Sequence, residues 1–106
     1  MHNYINKTGY IISLHIGDNF VTFLPDGKPC ELLEEFESIS SEELIFKRLK
    51  KISILNFPEE DEKIIIVNKI VAFYCYFTGI KNVAYLDGGY VKINGNSISS
   101  KILVKV

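Results

Sequence analysis

The sequence predicts an α+β fold: a small β-rich single domain over residues 1–106, with an N-terminal hairpin, one strand-helix-strand unit and a C-terminal hairpin. Three observations carry that expectation. Two runs rich in β-branched and aromatic residues, "YIISLHI" and "FVTFL", are split by Gly17-Asp18-Asn19, which suits a three-residue hairpin loop. Ile70, Phe73, Tyr74 and Phe77 recur at i, i+3, i+4 and i+7 between two short apolar runs, the period of a helix set between strands. Near the end, Asn94-Gly95 precedes "NSISSKILVKV", and Asn-Gly is the dipeptide best suited to a type I′ turn.

A chain of 106 residues has room for one domain, since domains run from roughly 50 to 250 residues. With 47% hydrophobic and 24% charged residues it lies outside the weakly apolar, highly charged range of disordered chains. A chain this short buries only roughly 65% of its surface. The apolar inventory exceeds that need, so a homo-oligomer is expected.

Met1 to Gly9 is polar and expected to fray. The hairpin of Tyr10–Ile16 and Phe20–Leu24 follows, and Pro25-Asp26-Gly27-Lys28-Pro29 is a second turn, because proline presets φ and Asp-Gly tolerates a tight corner. A short strand "CELL" comes next. Residues 40–52 carry two readings. Ser40 with Glu43 has the form of a capping box, and Leu44, Ile45, Leu49 and Ile52 fit a helical face. Ile52, Ile54 and Phe57 instead read as a half-buried strand. The combined expectation is a helical turn near Ser40 followed by extended chain.

"KIIIV", Lys63 to Val67, is a short buried strand, and Asn68 stands at a helix N-cap position. The helix after it turns Ile70, Phe73, Tyr74 and Phe77 inward and ends at Gly79. "NVAYL", Asn82 to Leu86, is the second strand, and strand, helix and strand at this spacing make a βαβ unit with parallel strands. Tyr90–Ile93 and Ser97 onward form the last hairpin, with Ile102, Val104 and Val106 on one face.

The net charge is −1, but from Lys63 onward six lysines (63, 69, 81, 92, 101 and 105) face Asp87 as the sole acid. That asymmetry suits an anionic ligand on the C-terminal half; lysines blunting strand edges explain it equally well. A nucleic-acid polymer is not expected as a partner. Cys30 and Cys75 have neither disulfide-framework nor zinc-site spacing and read as reduced structural thiols. The longest apolar run, Ile70 to Phe77, is far short of the roughly 20 residues a membrane helix needs. A soluble, cytoplasmic protein is expected, with no membrane partner, metal or cofactor.

Where would a site make physical sense? If strands 64–67 and 83–86 run parallel, Asp87-Gly88-Gly89 emerges beside the N-terminus of the helix, at the sheet edge where open α/β sheets bind ligands. The free N–H groups of the first turn and the Lys69 ammonium favour an anion there, and two glycines let backbone approach it. The candidate ligand-binding residues are therefore Asn68, Lys69, Asp87, Gly88, Gly89 and Tyr90. Gly-Gly after a strand is also ordinary turn punctuation. No catalytic constellation is visible: His2 is in the tail, and His15 falls on the strand face opposite Ile12, Leu14 and Ile16. Tyr76 and Tyr90 are candidates for exposed aromatics that stack on a base or a partner.

The run "NFPEEDEKIIIVNKIVA", the later "NVAYLDGGYVKINGNSISSKILVKV" and the opening "TGYIISLHIGDNFVTFLPDGKP" together resemble a loosely defined family of small phage and prophage proteins. Its pattern is Leu-Pro with acids, a strand like Ile-Tyr-Ile-Val-Ser, and a Pro-Asp-Thr-Gly-like corner. The resemblance implies a strand rather than a helix over Leu44 to Ile52. It implies no activity and no functional residues. Three functional classes follow: a phage-type binding protein that sequesters a small anionic, nucleotide-like defence signal; a small phosphodiesterase resembling ring nucleases; and a protein-protein module that blocks a host enzyme.

Overall fold

The computed structural model describes residues 4–16, 18–40, 45–59, 62–87, 91–94, 97–100 and 102–106. It is a β-rich α+β arrangement in three layers, from which a long two-stranded arm projects.

The central layer is a sheet of β1 (Tyr4–Asn6), β6 (Ile64–Ile66), β7 (Val83–Asp87) and β10 (Ile102–Lys105), in the order β1-β6-β7-β10. β1, β6 and β7 are parallel, and β10 runs antiparallel to β7. Alternation sorts the side chains to its two sides. Ile5, Ile65, Val67, Val83 and Tyr85 join one core, while Ile66 and Leu86 join the other. A sheet covered on both faces needs the nearly continuous apolar runs that "KIIIV" and "NVAYL" supply.

The first core is closed by α1 (Lys69–Thr78). The second is closed by a sheet of β2 (Ile11–Ile16), β3 (Asn19–Phe23), β8 (Val91–Asn94) and β9 (Ser97–Ser100), ordered β3-β2-β9-β8, through buried Ile12 and Leu14. β2 pairs antiparallel with β3 and parallel with β9, and β8 pairs antiparallel with β9. The first hairpin closes with Ile16 opposite Asn19, one residue tighter than the three-residue loop expected. The turn around Gly95 lies outside the described residues.

The segment expected to fray does not behave as a tail from Tyr4 onward. Ile5 is 6% exposed and Asn6 2%, because β1 adds to the edge of β6 in parallel register and Asn6 then anchors the crossing to β2. Its Nδ2 donates to the carbonyls of Tyr10 (2.6 Å) and Phe23 (3.1 Å), and its Oδ1 accepts from the backbone N–H (3.1 Å) and hydroxyl (2.7 Å) of Thr8. A short polar run hides this, since burial here comes from partners distant in sequence.

The arm consists of β4 (Glu31–Ser40) and β5 (Ile45–Leu55), paired antiparallel. The short strand expected at "CELL" is therefore ten residues long, and the helical reading of Ile45, Leu49 and Ile52 is overturned: all three lie in β5. Ser40 ends β4, and residues 41–44, which include Glu43 and Leu44, lie outside the described set. The reason for the helical appearance is a bulge. Glu35 pairs with Lys51 and Phe36 with Leu49, so Lys50 has no counterpart. One extra residue reverses the alternation, and the apolar face of β5 jumps from Leu49 to Ile52, a spacing of three that mimics a helix. The arm's root is clasped by Asn56, whose side chain donates to the Pro29 carbonyl (3.0 Å), and by buried Cys30, whose N–H donates to the Lys7 carbonyl (2.9 Å).

Candidate ligand-binding site

The strand-helix-strand unit brings the C-terminal ends of β6 and β7 to one sheet edge, since Ile65 registers with Val83 and Ile66 with Ala84 in parallel. Asn68 precedes the helix with extended backbone (φ −68°, ψ 153°), but its side chain makes no capping hydrogen bond. Instead Nδ2 donates to the Thr8 carbonyl at 3.4 Å. The chain after β1 runs through this edge: Lys7 N–H donates to the Ile66 carbonyl (2.7 Å), and Thr8 is only 4% exposed. The Lys69 ammonium lies 5.6 Å from the Phe73 ring centre and 5.8 Å from that of Tyr85, an arrangement that attracts a cation to the ring faces. Asp87 ends β7 opposite Ile102, half-buried. Gly88, Gly89 and Tyr90 lie outside the described residues. Of the six expected site residues, Asn68 is thus committed to the fold and Lys69 leans onto aromatic rings.

The helix above this edge is not oriented as expected. Val71, Ala72 and Cys75 are buried, whereas Ile70 (67% exposed) and Phe77 (81%) face away from the sheet, and Phe73 (41%) reaches it only through an edge-on contact of its ring with Tyr85, the ring centres 5.7 Å apart. Tyr74 is half-buried, its hydroxyl donating to the Ile52 carbonyl of the arm at 3.1 Å. At 100° per residue the two apolar stripes lie on opposite sides of α1. Small side chains let the helix sit closely over Ile65 and Val83, and a helix apolar all round gives no sequence signal of which stripe is inward. Tyr76, expected exposed, is 65% exposed.

At the opposite end of α1 lies a cleft of about 410 Å³ that the sequence reading missed, lined by Tyr76, Gly79, Ile80, Lys81, Asn82, Lys105 and Val106. Topology assembles it. Parallel crossover returns the chain to the N-terminal edge of β7, carrying Lys81 and Asn82 there, and β10, running antiparallel, brings its C-terminal Lys105 to the same edge. Lys105 registers with Ala84, and Val106 N–H donates to the Val83 carbonyl at 2.9 Å. Gly79 closes α1 in the left-handed region (φ 78°). Its N–H donates to the Tyr76 carbonyl (3.4 Å), that of Ile80 to the Cys75 carbonyl (2.9 Å), and the Thr78 hydroxyl to the Tyr74 carbonyl (2.8 Å). The two backbone bonds satisfy the Cys75 and Tyr76 carbonyls, two of the four that an α-helix leaves without an intrahelical partner at its C-terminus. Among the described residues no acid lines it, and both lysines are exposed.

His15 packs against Phe20 with the rings tilted 57° to each other, their centres 4.1 Å apart. Both thiols are free and buried, and burial pushes them up, Cys30 from 9.0 to about 11 and Cys75 in the same direction. Among the described residues no group of three or more His, Cys, Asp or Glu side chains could hold a metal ion, and no helix is long and apolar enough to cross a membrane. Comparison with family models, with curated proteins and with solved structures gave no match.

Proposed function

We propose that the protein binds a small anion carrying an aromatic group, of nucleotide-like chemistry, without transforming it. The carrying observation is the cleft at the C-terminal end of α1, where two lysines and an exposed tyrosine line one concavity with no acid among its described residues. Its size falls in the range of small-molecule sites, roughly 300–1,000 Å³, which pair apolar walls with a few polar groups. Lys81 and Lys105 would take the phosphate in charge-assisted bonds, and Tyr76 offers a ring face for the base. Ile80 and Val106 supply apolar wall. The resemblance to small phage proteins fits a molecule whose task is to withdraw a signal nucleotide from a host.

Isothermal titration with AMP tests the reading, on the intact chain and on two variants, the double variant Lys81→Ala/Lys105→Ala and Lys69→Ala. The expected result is that AMP binds the intact chain and Lys69→Ala equally and the double variant at least about 100-fold more weakly, the loss of two bonds to a charged group. Loss confined to Lys69→Ala would transfer the site to the edge beside Asn68, and absence of AMP binding would overturn the reading.

A further inference from the structure

The outer stripe of α1 and the apolar face of the β4–β5 arm are both left uncovered, and we propose that they cover each other between two copies of this chain, the arm of each lying across α1 of the other in a closed twofold dimer. The helix makes the first half of the case. Ile70 and Phe77 stand opposite its buried stripe, 67% and 81% exposed, and Phe73, one edge of whose ring meets Tyr85, keeps 41% of its surface open beside them; a helix apolar on both sides is the pattern of one covered on both sides.

The arm makes the second half. A two-stranded ribbon alone is marginally stable in water, yet this one extends well beyond the layers: the molecule measures 62 × 31 × 23 Å, with a radius of gyration of 16.8 Å, against about 13 Å for a compact chain of this length. Leu32 and Ile54 seat its root against the core that α1 closes. On the same face farther out, Phe36 and Leu49 sit directly opposite each other, 49% and 46% exposed. Of the described side chains there, the Lys47 ammonium lies 5.7 Å from the Phe36 ring centre.

Area decides how the two surfaces are used. With roughly 200 Å² per large side chain, the helix stripe exposes about 400 Å². Helix against helix would bury about 800 Å² in all, the size of a crystal contact. Adding Phe36 and Leu49 brings each copy to about 600 Å² and the total to about 1,200 Å², where specific dimers begin. Charge decides against the strand edges. β4 carries Glu31, Glu34, Glu35 and Glu37, and β5 carries Lys47, Arg48, Lys50 and Lys51. A twofold pairing of like edges sets like charges side by side, and pairing unlike edges leaves an open-ended series. Reciprocal exchange of arm and helix closes with both apolar surfaces covered.

Sedimentation velocity of the intact chain from about 1 to 100 µM, with Phe77→Glu and Leu49→Glu alongside, tests the proposal. Both positions are exposed, so the variants retain the circular dichroism of the intact chain. The expected result is a dimer that each variant weakens at least about 30-fold, the loss of one interface anchor. Mixing Leu49→Cys protein with Phe77→Cys protein under oxidation should then give a disulfide-linked dimer containing one of each, because the native thiols are buried. A monomer throughout the range, a dimer indifferent to both charges, or filaments growing by strand-edge pairing would each overturn it.

Discussion

Replacing Asn6 by alanine should destabilise the protein by about 3–5 kcal/mol. Asn6 is 2% exposed and serves four partners: it donates to the Tyr10 and Phe23 carbonyls and accepts from the N–H and hydroxyl of Thr8. Those partners leave one assignment of its amide, with nitrogen toward the carbonyls. In the alanine variant the Thr8 hydroxyl can turn to Tyr10, already 3.5 Å from its carbonyl. The Thr8 N–H then loses its partner in a buried setting and the Phe23 carbonyl in a half-buried one, at about 1–3 kcal/mol each, and the small cavity adds to that. Against a total stability of roughly 5–15 kcal/mol the loss is large, and urea unfolding followed by circular dichroism measures it. Asn6→Asp sharpens the test. It keeps the shape but aims an oxygen at two carbonyls, so its carboxyl is favoured neutral in the fold and its folded pKa lies above the unfolded one. Stability of that variant should therefore be greatest at acid pH and fall as pH rises through the folded pKa. A loss below about 1 kcal/mol for Asn6→Ala, or an Asn6→Asp protein as stable as the parent at pH 7, would refute the account of Asn6 as the anchor of β1.

Gly79→Ala should cost about 1–2 kcal/mol in the same assay, since a Cβ there meets nothing within 4 Å and only the left-handed backbone opposes it. The thiols should resist a thiol-specific reagent at pH 8 in the folded protein and react fully once it is unfolded. Burial raises Cys30 to about 11, with the Lys7 charge opposing and Cys75 adding. A raised thiol favours the neutral form in the fold, so its contribution is whole below pH 9 and lost as pH climbs toward 11. Unfolding midpoints across that window check the sign.

How much of this was legible in the residues depends on whether the signal was local. The unit from Ile64 to Asp87 was legible because both strands are buried on two faces and read as continuous apolar runs, and because Gly79 marks the helix end as only a residue tolerant of positive φ can. The inward stripe of α1 was not, since Ile70, Phe73 and Phe77 are as apolar as any core set and their larger size pointed the wrong way. The long arm was masked by a single unpaired lysine at position 50 that reversed the parity of β5. Asn6 looked like one polar residue in a polar tail. The part played by Asn68 was hidden for a similar reason: nothing near it in sequence announces that the Thr8 carbonyl will take its amide. The cleft required knowing that β10 lies antiparallel beside β7, a pairing that joins Lys105 to Lys81 across the chain and leaves no trace in either neighbourhood.

The parallel pairing of β2 with β9 has a consequence for how the chain is made. Ile12 lies beside Ile98 and Leu14 beside Ser100, so the second sheet cannot close until β9, more than eighty residues later, has been made. At a synthesis rate of roughly 5–20 residues per second, the first hairpin waits several seconds with its apolar edge unpaired. Closing so long a loop before any reward makes folding slow for a domain of this size. During that interval the nascent chain depends on whatever shields Ile12 and Leu14, and truncation before β9 should yield aggregate rather than a smaller folded core.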